Sequence, residues 1–141
     1  MAEYNAVSAQ TVAENQNVLF TNTTSPCNKG YVVHREGSGL FTVRGCTNNC
    51  RAKYRVSFSG NIAVSTGGTA GAISVAIALN GESDLTTQAI ATPAAVGDYF
   101  NVAMGTDVWI PRGCCTQVSV KNTSGQAIDV ANANITITRE G

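Results

Sequence analysis

Charge is scarce in this chain. Of its 141 residues only 13% are Asp, Glu, Lys or Arg, about half the usual share. Nine cations balance nine acids, so no overall basic field exists to attract nucleic acid. Histidine occurs once, at His34, and tryptophan once, at Trp109. A single histidine leaves a Ser-His-acid triad one candidate. Its nearest partners, Glu36 and Ser38, are sequence neighbours in what reads as a strand end and turn. Long apolar runs are missing too. The longest, Ile73 to Leu79, is broken by Ser74 and is far short of a membrane span. The first residues, MAEYNAVSAQTVAENQ, have no basic segment followed by an apolar one, so the reading includes no signal peptide and synthesis in the cytosol. No membrane partner is expected.

Polarity without charge fills the gap. Thr, Ser, Asn, Gly and Ala take the place of charged residues, while 43% of the chain is hydrophobic, enough for a globular core. This composition suits short strands, tight turns and surfaces that pack against other subunits.

The apolar residues recur with period two, the signature of strands with one buried face. Tyr54, Val56, Phe58 and Ile62 alternate with Arg55, Ser57, Ser59 and Asn61, with Gly60 as a candidate bulge. Ile73, Val75, Ile77 and Leu79 alternate with Ser74, Ala76, Ala78 and Asn80. Asn80-Gly81 is a strong hairpin signal. A strand is expected over about 85–92. Phe100, Val102, Met104, Val108 and Ile110 share one parity, and Val118 and Val120 follow the turn at Pro111-Arg112-Gly113. Parity then switches between Ile128, Val130 and Ile135, Ile137, which requires a bulge or turn within Ala131–Asn134. The expected core is Phe20, Phe41, Tyr54, Val56, Phe58, Ile73, Val75, Ile77, Leu79, Phe100, Val102, Val108, Ile110, Val118, Val120, Ile135 and Ile137. Residues 1–16 read as a polar N-terminal arm, either a short helix or extended. Residues 17–141 read as one all-β domain, a two-sheet sandwich of about ten antiparallel strands.

Nothing in the pattern assembles catalytic chemistry, and no catalytic residue, cofactor or metal is assigned. Glu82 and Asp84 form a loop pair without EF-hand spacing. Gly67-Gly68-Thr69-Ala70-Gly71 lacks the lysine and helix of a phosphate loop. Cys114-Cys115 is a poor chelating pair, which disfavours structural zinc. Five cysteines leave at least one thiol unpaired within the chain. Cys46 and Cys50 flank a turn, and Cys27 precedes a strand that can run beside it, so a disulfide between Cys27 and one of these two is the favoured pairing. From Lys29 to Arg55 lie six cations and one acid. This stretch reads as a solvated face or as a surface for an acidic partner. It lacks the interleaved aromatics of a nucleic-acid groove.

The order of motifs is similar to that of a known family. Asn17-Val18-Leu19-Phe20, Tyr31-Val32-Val33-His34-Arg35, Gly39-Leu40-Phe41, Tyr54 to Ile62, Ile77 to Glu82, Val108 to Gly113 and Asn134-Ile135-Thr136-Ile137 together resemble the tumour-necrosis-factor-like jelly roll. This is also the globular-head fold of complement and collagen-family proteins. The resemblance covers about residues 17–141. It implies a homotrimer that binds other molecules and catalyses nothing. In texture the chain also resembles small virion proteins of bacteriophages that infect Gram-positive bacteria. The shared features are the short arm, a Ser-Pro-Cys-Asn-Lys-Gly loop and a Thr/Asn/Gly-rich sandwich.

These resemblances lead to an expected role as a trimeric capsid decoration or head-fibre protein. It would be made in the host bacterial cytoplasm and located in the virion, with itself and a capsid or other virion protein as partners. Two alternatives are a receptor- or glycan-binding module of a phage tail or fibre, and a bacterial spore-surface or assembly protein of the same fold. Small residues Ala6, Ser8, Ala9 and Ala13 make the arm the candidate attachment device. Ala76 and Ala78, on the small side of their strand, are candidate trimer contacts. So are Tyr99 and Trp109, whose parity is opposite to the core residues beside them.

Overall fold

The computed structural model describes residues 2–25, 31–35, 37–45 and 48–139. Its strands, in chain order, are β1 (Ala2–Ala6), β2 (Gln10–Val12), β3 (Asn22–Ser25), β4 (Val32–His34), β5 (Phe41–Arg44), β6 (Arg51–Val64), β7 (Ile73–Leu79), β8 (Glu82–Ser83), β9 (Ala89–Ala91), β10 (Phe100–Pro111), β11 (Cys115–Asn122) and β12 (Ile128–Arg139). They form two sheets. The first runs β10-β6-β12-β1-β3, with β2 also paired to β12. The second runs β4-β5-β11-β7-β8, with β9 also paired to β7. Every pairing is antiparallel.

Period-two patterning decides which side chains go between the sheets. In β6, Tyr54, Val56, Phe58 and Ile62 are buried, while Arg55 on the other face is exposed. Phe58 meets Phe20 edge-on at 6.2 Å, and Phe20 meets Phe41 at 5.3 Å, spacings at which aromatic pairs gain beyond their buried area. The register is therefore the expected one. The parity switch in β12 is a bulge. Pairing with β6 shifts between Ala131 and Asn134, and Asn132 takes a φ of 54°. The bulge lies in β12, whereas β6 runs unbroken through Gly60. A Cβ at Gly60 would meet the Phe58 ring at 3.3 Å and the Ala133 Cα at 3.4 Å, a close fit opposite the partner's bulge.

Four expectations need correction. First, the N-terminal segment belongs to the sheet. β1 lies between β12 and β3, and its Tyr4 is only 3% exposed, with Ala6 also buried. Glu3 and Asn5 point the other way, so a five-residue strand looks polar although half of it is core. Val12 in β2 is buried as well. Among the attachment candidates, Ala6 is a core residue, while Ser8, Ala9 and Ala13 are exposed. Second, the strand expected near 85–92 is a 3-10 turn (Leu85–Thr87) followed by the short β9. Asp84 Oδ1 accepts hydrogen bonds from the Thr86 backbone N–H at 3.1 Å and from its hydroxyl at 2.6 Å, which starts the turn. Third, Phe100 opens the edge strand β10 and is 44% exposed, and Leu79 at the end of β7 is only partly buried. Fourth, Ala76 and Ala78 are fully buried within the protomer. Lys121 pairs with Ala76, and its ammonium donates to the Gly81 carbonyl at 2.9 Å, so its stem lies along this row. Ser119, opposite Ala78, is buried too. The small residues of β7 thus serve packing inside the chain.

Candidate self-association surface

The outward face of the first sheet is built by register. Along β6 it presents Arg51, Lys53, Arg55, Ser57, Ser59 and Asn61. Opposite these on β10 stand Pro111, Trp109, Asp107, Gly105, Ala103 and Asn101. On the other side of β6, β12 places Thr136 beside Ser57 and Asn134 beside Ser59.

This face has two zones. At one end the Arg51 guanidinium lies 4.2 Å from the centroid of the Trp109 ring, and the Lys53 ammonium lies 5.4 Å from it. Asp107 takes Lys53 and Arg55 at 3.6 Å each. These ion pairs are partly solvated and contribute about 0–1 kcal/mol apiece. Their effect is to hold the cations against β10, leaving 48% of Trp109 exposed. The other zone is shallow and made mainly of small and polar residues, with the Glu3 carboxylate beside it accepting from the Asn134 amide at 3.2 Å. A shallow depression of about 440 Å³ lies over Ser57, Ser59, Ala103, Gly105, Asn134 and Thr136, with Arg55 at its rim. A side chain at Gly105 would stand 3.2 Å from the Arg55 guanidinium and 3.3 Å from the Val56 carbonyl, so glycine keeps this floor low.

β10 is the last strand of its sheet. Tyr99 just before it is 45% exposed. Three aromatic residues, Tyr99, Phe100 and Trp109, are thus open to solvent on or next to one free edge. Tyr99 and Trp109 stand where the parity argument put them. Sequence reading missed Phe100, whose inward parity hid its exposure, and it missed that Arg51 and Lys53 gather around Trp109. The alternation of cations along β6 was the available signal for that grouping.

The remaining candidates lie elsewhere. His34 ends β4, and its Nε2–H donates to the Ser38 carbonyl at 2.8 Å, while its buried Nδ1 has no partner. Among the described residues neither ring nitrogen meets a hydroxyl or a carboxylate. Cys50 carries a free, exposed thiol, as do Cys114 and Cys115. Cys27 and Cys46, the other residues of the expected disulfide, lie outside the described residues. Among the described residues no group of His, Cys, Asp and Glu could hold a metal ion together, and no helix is long and apolar enough to cross a membrane.

Neither a family profile nor a curated protein matches the sequence. Solved structures do. The globular domain of zebrafish complement 1qA protein superposes with a TM-score of 0.62 at 13% identity, over 96% of this chain and 94% of its own. Eiger TNF from S. frugiperda superposes with a TM-score of 0.71 at 12% identity, over 99% of this chain and 91% of its own. The chain is a jelly roll. At this identity the likeness establishes the fold, and the jelly roll spans the whole chain, with β1 and β2 inside it.

Proposed function

We propose that this jelly roll is a non-catalytic structural module that assembles as a homotrimer through the outward face of its first sheet, and that it serves as a capsid decoration or head-fibre protein. The observation that carries the assembly is the pairing of a shallow floor of small and polar residues with exposed aromatics along the edge strand of the same sheet. A small-residue floor lets a second copy approach closely, and Tyr99 and Trp109, of outward parity, supply the apolar area that association buries. The family resemblance in the sequence implies the same trimeric state. The virion role rests on the phage-like texture of the sequence. With β1 built into the sheet, docking to a partner falls to exposed side chains of the sandwich.

Light scattering on the purified protein tests the assembly. A trimer mass is expected, and Ala103→Arg, which raises a long cation from an exposed position of the floor, should shift the mass toward monomer without lowering the melting temperature. A monomer mass for the parent protein would sink the reading. Gold labelling of purified particles tests the virion role.

The exposed Trp109, flanked by Arg51 and Lys53, favours one second reading, a receptor- or glycan-binding module. Under that reading Trp109→Ala abolishes glycan binding while the oligomer persists. Under the first, it weakens the oligomer.

A further inference from the structure

Six of the nine cations gather at one end of the sandwich, where contacts between the two sheets bring them together. The Tyr54 hydroxyl of β6 donates to the carbonyl of Arg44, the last residue of β5, at 2.7 Å. The Arg112 N–H, in the turn after β10, donates to the carbonyl of Cys50, just before Arg51, at 3.0 Å. Arg139 pairs with Tyr54 in register, and its guanidinium lies 4.4 Å from the centroid of the Tyr31 ring. The Tyr31 carbonyl in turn accepts the Arg44 N–H at 2.8 Å. Lys53 and Arg55 complete the group, and Asp107 takes both of them. Arg44, Arg51 and Arg112 are exposed and form no ion pair among the described residues. Glu140 lies outside those residues. The opposite end carries Glu14, Asp98 and Asp129. There the Asn15 N–H reaches the Asn122 carbonyl at 3.1 Å, the Gly97 N–H reaches the Val64 carbonyl at 3.2 Å, and Asp129 pairs with Ala63. A net charge of zero therefore covers two opposed ends.

A depression of about 240 Å³ opens at the cationic end, lined by Arg44, Gly45, Gly113, Cys114 and Cys115. A Cβ at Gly45 would fall 2.3 Å from the Pro111 carbonyl oxygen, so only glycine lets the two segments close around it. Arg44 is the one charged residue of its lining.

We propose that this end is the docking surface for an acidic segment of a partner protein. One carboxylate of that segment enters the depression against Arg44, and others meet Arg112 and Arg51. A guanidinium presents paired donors that match a carboxylate, and Arg51 is already held over the Trp109 ring at 4.2 Å. Composition favours protein over a polynucleotide. The three open cations are all arginine, which protein interfaces enrich while they deplete lysine. Among the described residues only Trp109 stands with them as an exposed aromatic, too few to stack successive bases. The inference rests on the docking role proposed above but not on the trimer. Arg44 belongs to the second sheet and Arg112 to a turn, outside the first-sheet face assigned to assembly.

Fluorescence anisotropy of a labelled polyglutamate peptide, titrated with the full chain, provides the test. Saturable binding is expected that weakens as salt rises, and a polyglutamine peptide should not bind. Arg44→Gln and Arg112→Gln should each weaken binding roughly fivefold at an unchanged melting temperature. Arg35→Gln should leave it unchanged, because Arg35 follows β4 at the end of the β4–β5 hairpin away from Arg44. Equal losses in all three variants, or no binding at low salt, would overturn the inference. A DNA duplex bound more tightly than the peptide, with the same dependence on Arg44 and Arg112, would assign this end to phosphate and overturn the protein partner. Light scattering at low salt addresses one more occupant. Salt-reversible growth of the mass that Arg112→Gln abolishes would seat the acidic end of a second copy here instead. The two readings fail separately. A monomer that still binds the peptide removes the trimer alone, and a trimer that ignores it removes the docking surface alone.

Discussion

The imidazole of His34 stacks on the ring of Phe41, with centroids 4.3 Å apart and planes 15° from parallel. Tyr4 closes the group at 4.7 Å from His34 and 4.8 Å from Phe41. One residue from each of β1, β4 and β5 therefore meets between the sheets, and the lone histidine is committed to packing. Phe41→Ala should cost about 3–5 kcal/mol in urea unfolding. A double-mutant cycle with His34→Ala should show a coupling of roughly 0.5–1.5 kcal/mol. Strict additivity of the two losses would mean that the stack adds nothing beyond burial.

The same cluster makes the first strand structural. Removing residues 2–6 takes a strand from between β12 and β3 and empties the Tyr4 site. The expected outcome is loss of cooperative thermal unfolding, followed by circular dichroism. Tyr4→Ala alone should cost about 3 kcal/mol or more. A truncated chain that melts like the parent would restore the N-terminal segment as a dispensable arm.

Asn132 tests the bulge. Its φ of 54° lies in the left-handed region that asparagine and glycine tolerate and β-branched residues do not. Asn132→Gly should change stability little. Asn132→Val should cost about 1–2 kcal/mol, read from the urea midpoint at unchanged slope. Equal stabilities would show that the bulge relocates along β12.

Much of this architecture can be read in the residues. Long strands with strict alternation, such as β6, state their register through Tyr54, Val56 and Phe58, and the β12 irregularity announces itself because a parity switch requires a bulge or a turn. Asn80-Gly81 turns where expected, both residues taking positive φ. Short strands do not speak as clearly. In β1 only Tyr4 and Ala6 carry the inward face, and two residues do not make a period. Parity also says which face a side chain takes, not whether that face is covered. Ala76 and Ala78 occupy the outward side of β7 and are buried by Lys121 and their neighbours. Phe100 occupies an inward position and is exposed at the very start of its strand, although Val102, Val108 and Ile110 farther along are buried. The candidate surface suffers from the same limit. Trp109 was legible as an outward aromatic, but its grouping with Arg51, Lys53 and the floor at Gly105 depends on which strands are neighbours, and pairing is a long-range property.

Asn122 offers the sharpest test of how the N-terminal segment is tied down. Its side chain is fully buried at the end of β11. The amide Nδ2 donates to the Val12 carbonyl at 3.0 Å and to the Gln126 carbonyl at 2.9 Å, and Oδ1 accepts the Ser124 N–H at 2.9 Å. One side chain therefore satisfies backbone groups of β2 and of the β11–β12 connection. Buried backbone groups left without partners cost about 1–3 kcal/mol each. Asn122→Ala should accordingly lose about 3 kcal/mol or more in urea unfolding. Asn122→Asp should lose at least as much, because a carboxylate would turn an acceptor oxygen toward two carbonyl oxygens and donate nothing. Hydrogen exchange gives the spatial readout. In Asn122→Ala the amides of Gln10–Val12 should lose protection first, while those in the middle of β6 keep theirs until global unfolding. Uniform loss across both strands would mean that β2 and the core open as one unit, and that Asn122 is no local tether.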